Sequence, residues 1–288
     1  MQRVLVVPWS IEATNSATVL LGETALRRDH VQSSMMSHMG VKIPNLDGMP
    51  RGGPDASWLD RMLQTDCQEY LDRDDVDVGL KRRVMRSLDW IGTVFKEHER
   101  NATLALAQVA DVPDPAILEL GAGHGALSRL ILEWHPTATL TITDVDPASV
   151  AAIAAGDLGH HPRATVRVMD ATAIDAADGS YDLAVFAMSF HHLPPRQAAR
   201  AIAEGTRVAD KLLIIDLPRL PSPLHLVQLA TFVPLAAVFP FAHDGFISSL
   251  RAYSRSALRA LAATHADPGI DVRLRNDLWG PQVVVARL

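Results

Sequence analysis

The sequence predicts an α/β domain on a mostly parallel sheet, preceded by a helical segment. Three observations carry this. From about residue 113 onward, short uninterrupted apolar runs alternate with helical patterns, the pattern of a parallel sheet covered on both faces. One of those runs, Ala116-Ile-Leu-Glu-Leu120, opens directly into Gly121-Ala-Gly-His-Gly125. A glycine turn between strand and helix lets a ligand approach the backbone. Residues 56–110 keep apolar side chains three and four apart, the period of one helix face.

Composition sets the outer bounds. The chain has 288 residues, 48% of them hydrophobic and 21% charged, enough for one large domain or a domain with an appendage. Net charge is −6, and no dense Lys/Arg block is present to meet a phosphate backbone. Nucleic acid is therefore not the expected partner. The single cysteine, Cys67, cannot build a disulfide framework and reads as a half-buried structural thiol in a reducing compartment. The apolar run near the N-terminus is short, broken by Pro8 and followed by Glu12, so no signal peptide is expected. A cytoplasmic location follows from these features.

Residues 1–55 read as a loosely ordered extension, with a helical pattern near 17–27. Residues 56–112 read as a helical cap that Asp111-Val-Pro-Asp-Pro115 brings to an end, because proline cannot continue a helix. Residues 113–288 form the core. Strands are expected over 116–120, 140–143, 165–169, 183–188 and 211–217, with helices near 124–135, 147–156 and 195–206. A further helix precedes two last strands, and their short link through Gly280 makes that pair antiparallel.

The site reading starts from Glu119. Gly121-x-Gly123-x-x-Ala126 fits a dinucleotide fingerprint, in which a diphosphate sits at the helix N-terminus. A carboxylate just beneath the turn would repel a diphosphate and attract a ligand bearing an amino group and a sulfonium. S-adenosylmethionine is such a ligand. Asp144, 19 residues after Gly125, is placed to accept hydrogen bonds from ribose hydroxyls. Asp146 precedes Pro147 and reads as a helix N-cap. Asp170 follows the third strand and suits either the adenine amino group or a turn.

With Glu119-Leu-Gly-Ala-Gly-His-Gly125, Asp144-Val-Asp-Pro147, Met169-Asp-Ala171 and the segment from Tyr181 to Pro195, residues 90–288 resemble a class I S-adenosylmethionine-dependent methyltransferase. The resemblance implies a Rossmann-like seven-stranded sheet of order 3-2-1-4-5-7-6 with the seventh strand antiparallel. It implies that Glu119, Gly121, Ala122, Gly123 and Gly125 hold the methionine part of the cofactor. Asp144 would take the ribose, and Val145, Asp170 and Ala171 the adenine. Ser189 falls beside the cofactor's methyl group, as do His191 and His192. The segment His243-Asp-Gly-Phe-Ile-Ser-Ser-Leu-Arg-Ala-Tyr-Ser254 is similar to one in small-molecule methyltransferases of the quinone-biosynthesis group.

Methyl transfer needs the nucleophile, carbon and sulfur in line, and a base only for an acceptor that must lose a proton. His191, His192 and His243 are the candidate catalytic groups, against the alternative of histidines bonded within loops. Residues 220–243 contain no Asp, Glu, Lys or Arg. Prolines and a position between strands of one sheet argue against a membrane span. An apolar lid within 218–250, lending Leu226, Leu229, Phe232, Val233 and Phe239 to a pocket, points to a hydrophobic small-molecule acceptor. No metal site is expected, since His160-His161 lack partners at ligand spacing. Two alternatives stand beside methyl transfer to oxygen or carbon. One is a nicotinamide-dependent oxidoreductase, which the absence of a Tyr-x-x-x-Lys pair disfavours. The other is a methyltransferase-like protein that binds without catalysis.

Overall fold

The strand leading into the glycine turn lies in the middle of the sheet. The protein is described by a computed structural model, which describes residues 46 and 48–287, except 74, 237–238, 266–270 and 277–281. The expected helical pattern near 17–27 lies outside the described residues. Strands β1 (Ala116–Leu120), β2 (Thr139–Asp144), β3 (Ala164–Val168), β4 (Tyr181–Ala187) and β5 (Ala209–Asp216) are parallel, and β6 (Asp271–Asn276) and β7 (Gln282–Arg287) pair antiparallel. The sheet order is β3-β2-β1-β4-β5-β7-β6, with β7 antiparallel to β5. The order reverses between β1 and β4. In such sheets ligands bind at the carboxyl ends of the strands flanking that reversal.

Both faces of the central strands are covered, as their unbroken apolar runs require. Ile117, Leu183, Val185, Leu213 and Ile215 pack on one face with Ala102, Ala105 and Val109. The helices there are α3 (Glu97–Gln108) and α4 (Ala126–Trp134). Leu118, Leu120, Ala184, Phe186, Leu212 and Ile214 pack on the other, against α6 (Pro195–Val208) and α9 (Arg255–His265). Side chains alternate along a strand, so Glu119 shares the face of Ile117 and looks toward α4.

Helix starts follow local chemistry. Asp77 caps α2 (Val78–Val94) by accepting from the backbone N–H groups of Gly79 and Leu80. Asp146 does the same for α5 (Pro147–Ala154), accepting from Ala148 and Ser149, with Pro147 at the first helical position. The Asp-Pro pair specifies this start because the proline lacks only an N–H that is unsatisfied there anyway.

Two expectations need correction. The boundary at residue 56 is too late. Leu46 and Met49 are buried in the core beside Phe190 and Tyr253, and the Arg51 guanidinium donates to the carbonyls of His191 and Arg251, both at 2.7 Å. The proline- and glycine-rich composition of 46–55 hid this, since these contacts are held by loop backbone rather than a periodic apolar face. Cys67 is exposed rather than half-buried; its segment has no regular structure to bury it.

The apolar stretch folds as two helices, α7 (Ser222–Ala236) and α8 (Pro240–Arg251), packed together. Among the described residues no helix is long and apolar enough to cross a membrane. A buried ion pair ties this lid to α1 (Trp58–Met62). The Arg219 guanidinium reaches Asp60 Oδ1 at 2.9 Å and also donates to the carbonyl of Ala252 at 3.0 Å. Removing Asp60 strands a buried cation, the costly way to break such a pair. Asp60→Ala is expected to lower stability by about 3–5 kcal/mol, read as a lower Tm and denaturant midpoint.

Candidate functional site

The glycine turn owes its shape to positive φ. Gly121, Gly123 and Gly125 have φ of 68°, 57° and 77°, a region that other residues enter at a cost. At Gly121 a Cβ would lie 2.7 Å from Ser189 Oγ, and at Gly125 it would lie 2.5 Å from Leu158 Cδ1. At Gly123 a Cβ would meet nothing within 4 Å. The first and third glycines are thus needed for packing, while the second leaves bare backbone facing open space.

Around this turn the structure gathers residues from three strand ends. Glu119 is buried, and the Ser128 hydroxyl of α4 donates to its Oε2. Burial, with the nearby charge of Asp144, pushes the Glu119 carboxyl up to about 7 despite the Ser128 bond. Asp144, at the end of β2, accepts from the N–H of Gly123 and from that of Asp146, both at 2.9 Å. Val145 beside it is exposed. Ser189, just past β4, donates to the carbonyl of Leu120 at 3.2 Å. Between β4 and Ser189, Met188 takes φ 58°, so the chain leaves this strand through a strained residue at the edge where ligands sit. Asp170 is exposed and uses Oδ1 to accept from the N–H and hydroxyl of Thr172; this is the turn role weighed for it, and it leaves Oδ2 outside those bonds.

The three candidate catalytic histidines have different surroundings. His191 is buried. Asp216 Oδ1 lies 2.7 Å from its Nδ1, and Glu69 Oε1 lies 3.5 Å from its Nε2. Burial alone would push the imidazole toward neutrality, but the two carboxylates overcome it and raise its pKa to about 10. Both ring nitrogens face buried carboxylates, so neither is turned toward open space, and the ring joins the end of β5 to the cap. His192 is half-buried, with Nδ1 3.0 Å from Asp72 Oδ2; Arg251 also reaches that oxygen at 3.0 Å. His243 has Nδ1 2.8 Å from Asp244 Oδ1 and stacks on Tyr70, with ring centroids 4.1 Å apart. Asp244 is buried and also accepts from the Tyr70 N–H at 2.8 Å. The lid side chains are less enclosed than expected. Leu226, Leu229 and Phe239 are exposed, Phe232 packs against Phe246, Ile247 and Leu250, and the side chain of Val233 lies outside what the structure describes.

Sequence reasoning passed over Glu69, Asp72 and Asp216. Asp216 had a readable signal, because it ends a strand as Asp144 does. Glu69 and Asp72 sit in a short irregular segment where spacing reveals nothing.

Residues 117–211 match the family model for the methyltransferase domain. Over that stretch the chain carries a methyltransferase domain. A curated relative, malonyl-[acyl-carrier protein] O-methyltransferase of Geobacter sulfurreducens, is 34% identical over 105 residues, which is 36% of this chain and 38% of that protein. The chain thus matches less than half the length of that relative. The plantazolicin methyltransferase BpumL in complex with SAH is similar in fold. It has a TM-score of 0.56 and 13% identity, over 76% of this chain and 92% of that one. The same enzyme with a pentazolic desmethylPZN analog and SAH gives 0.56 and 14%, over 80% and 96%. The nicotinamide alternative drawn from Gly121-x-Gly123-x-x-Ala126 gives way to the domain match, which contains that turn.

The pKa directions set a pH dependence. Glu119 keeps its proton in the folded state up to about pH 7, whereas the unfolded carboxyl, with an ordinary value of 4.5, has lost it. That stabilisation, about 3 kcal/mol, is fully present below pH 4.5 and is lost as pH rises through 7. His191 acts higher, its stabilisation fully present below 6.5 and lost as pH rises through about 10. The stability of the ligand-free protein to denaturant should therefore fall from pH 5 to 6.5, and Glu119→Gln should remove that slope while keeping the one between pH 6.5 and 10.

Proposed function

We propose that the protein transfers the methyl group of S-adenosylmethionine to an oxygen or carbon of a hydrophobic small molecule. The observation that carries the reading is the buried Glu119 beneath bare backbone. A carboxylate removed from water is costly unless a cation meets it, and the cofactor's methionyl end supplies an ammonium and a sulfonium. Binding then draws the Glu119 proton off and converts a strained acid into an ion pair.

The remaining cofactor assignments follow the strand ends. The bare backbone of the glycine turn, with Ala122, lines the methionine part. Asp144 retains lone pairs for the vicinal ribose hydroxyls after its two backbone bonds. Val145 presents an exposed apolar face to one side of adenine, and Asp170 with Ala171 sits at its edge. Ser189 lies where the methyl group would be presented. When bound, the cofactor supplies an electrophilic methyl on sulfur; the chain's task is to hold the acceptor in line with it.

The acceptor is assigned to the apolar side of the lid. Its exposed apolar groups, including Leu226 and Phe239, favour an apolar body. Where the acceptor must lose a proton, His192 with Asp72 and His243 with Asp244 are the pairs suited to it. Each carboxylate holds one ring nitrogen and orients the ring, and the other can take the proton, with Glu69 3.9 Å from His192 Nε2 to steady the cation formed there. The curated relative being an O-methyltransferase supports an oxygen acceptor.

Calorimetry tests the reading. The wild-type protein should bind S-adenosylmethionine and release a proton near pH 6.5, seen as a heat that changes with the buffer's ionisation enthalpy. Glu119→Gln should bind about 10–100-fold more weakly, the worth of a charge-assisted bond, and release none. Binding of NAD in preference to the sulfonium compound would overturn the reading. Cofactor binding without turnover on an apolar metabolite extract would mark a binding protein instead.

For the acceptor side, His192→Gln and His243→Gln should lower kcat with little change in cofactor affinity. His191→Gln should instead lower Tm, because two buried carboxylates lose their shared cation.

A further inference from the structure

Three polar side chains from separate segments converge beside the glycine turn. Asp89 lies in the last third of α2, His98 opens α3, and His124 sits inside the turn between Gly123 and Gly125. Asp89 Oδ1 is 3.0 Å from His124 Nε2 and 3.4 Å from His98 Nε2. The three donor atoms lie within 4.8 Å of one another, and the two rings meet edge to face with centroids 5.9 Å apart.

Those separations also suit a metal ion. A tetrahedral ion with bonds of about 2.0–2.1 Å holds its donors about 3.3 Å apart. The measured 3.0 and 3.4 Å lie on either side of that value. His98 Nε2 is buried and makes no hydrogen bond, although it faces a carboxylate oxygen. The backbone also makes room for it, since a Cβ at Gly92 would stand 2.6 Å from that nitrogen.

We propose that Asp89, His98 and His124 form a site for a divalent transition-metal ion of the zinc type, clasping the cap helices to the cofactor turn. Two imidazoles and one carboxylate select such an ion over calcium or magnesium, which take oxygen ligands. Three protein ligands leave a fourth position for water. Through His124 the ion would hold the turn in register with α2 and α3. A second convergence, Glu69 with His191 and His192, does not offer the same chemistry. There His191 carries a proton between Asp216 and Glu69, and Ser248 already donates to Glu69 at 2.8 Å.

The test is zinc binding by the full chain after treatment with a chelator, followed by calorimetry and by competition with a chromophoric chelator. Asp89→Asn, His98→Gln and His124→Gln are compared with His160→Gln, a change at an exposed loop histidine. Wild type and His160→Gln should take up one tight equivalent and gain Tm on zinc addition. Each of the other three should bind at least about tenfold more weakly, since even outer-shell changes cost that much, and should gain no Tm. Asp89→Asn keeps a hydrogen-bond acceptor on a helix surface, so it remains informative if a histidine variant folds poorly. Absence of a tight equivalent, or zinc uptake indifferent to all three substitutions, overturns the site. Uptake is read without cofactor, so the result stands apart from the methyl-transfer reading.

Discussion

A buried imidazolium holds the two halves of the site together. His191 sits in the single helical turn Phe190–His192 after β4, between Asp216 at the end of β5 and Glu69 in the cap segment. Asp216 also accepts from the His191 backbone N–H at 2.7 Å. A cation shared by two buried carboxylates is worth its desolvation only while all three are present. Through Ser248, Glu69 reaches α8, and through Arg51 the His191 carbonyl reaches the loop ahead of α1. One charge cluster thereby fixes sheet, cap and lid in one register, and the positions of His192 and His243 follow from it.

The cofactor side is built on the opposite electrostatic logic. Near His191, opposite charges are already matched inside the protein. At Glu119, a single carboxyl is held among apolar strands with the Ser128 hydroxyl as its one hydrogen-bond partner among the described residues, and its proton is retained to about pH 7. A matched cluster serves architecture, while an acid held without a matching cation suits a positively charged ligand. The contrast explains how two buried acidic groups a few strands apart take such different parts. It also places the pH sensitivity of ligand binding and that of cap attachment in separate ranges.

Much of the fold was legible because the signals were local. The strand 116–120 is found as Ala116–Leu120, the one expected at 183–188 as Tyr181–Ala187, and the helix at 195–206 as Pro195–Val208. Asp146 with Pro147, and the glycines beside Glu119, announce themselves within a few residues. The cap's attachments were not legible. Leu46, Met49 and Arg51 pack from a loop without periodicity, and Asp89, His98 and His124 come from three elements. His191 shows the limit best, because beside His192 in the sequence it looks like a second base, yet burial and two distant acids turn it into a fixed cation.

By itself, the sequence determined the parallel core, the strand-to-helix glycine turn and the carboxyl beneath it. Each depends on neighbours within a turn or a strand, where alternation and glycine's freedom at positive φ act directly. Tertiary structure alone decided which histidines are enclosed by acids, which acids lie about one ring, and which side chains converge from separate elements beside the glycine turn. Those outcomes depend on distances between residues far apart along the chain, and on the dielectric that packing creates around them.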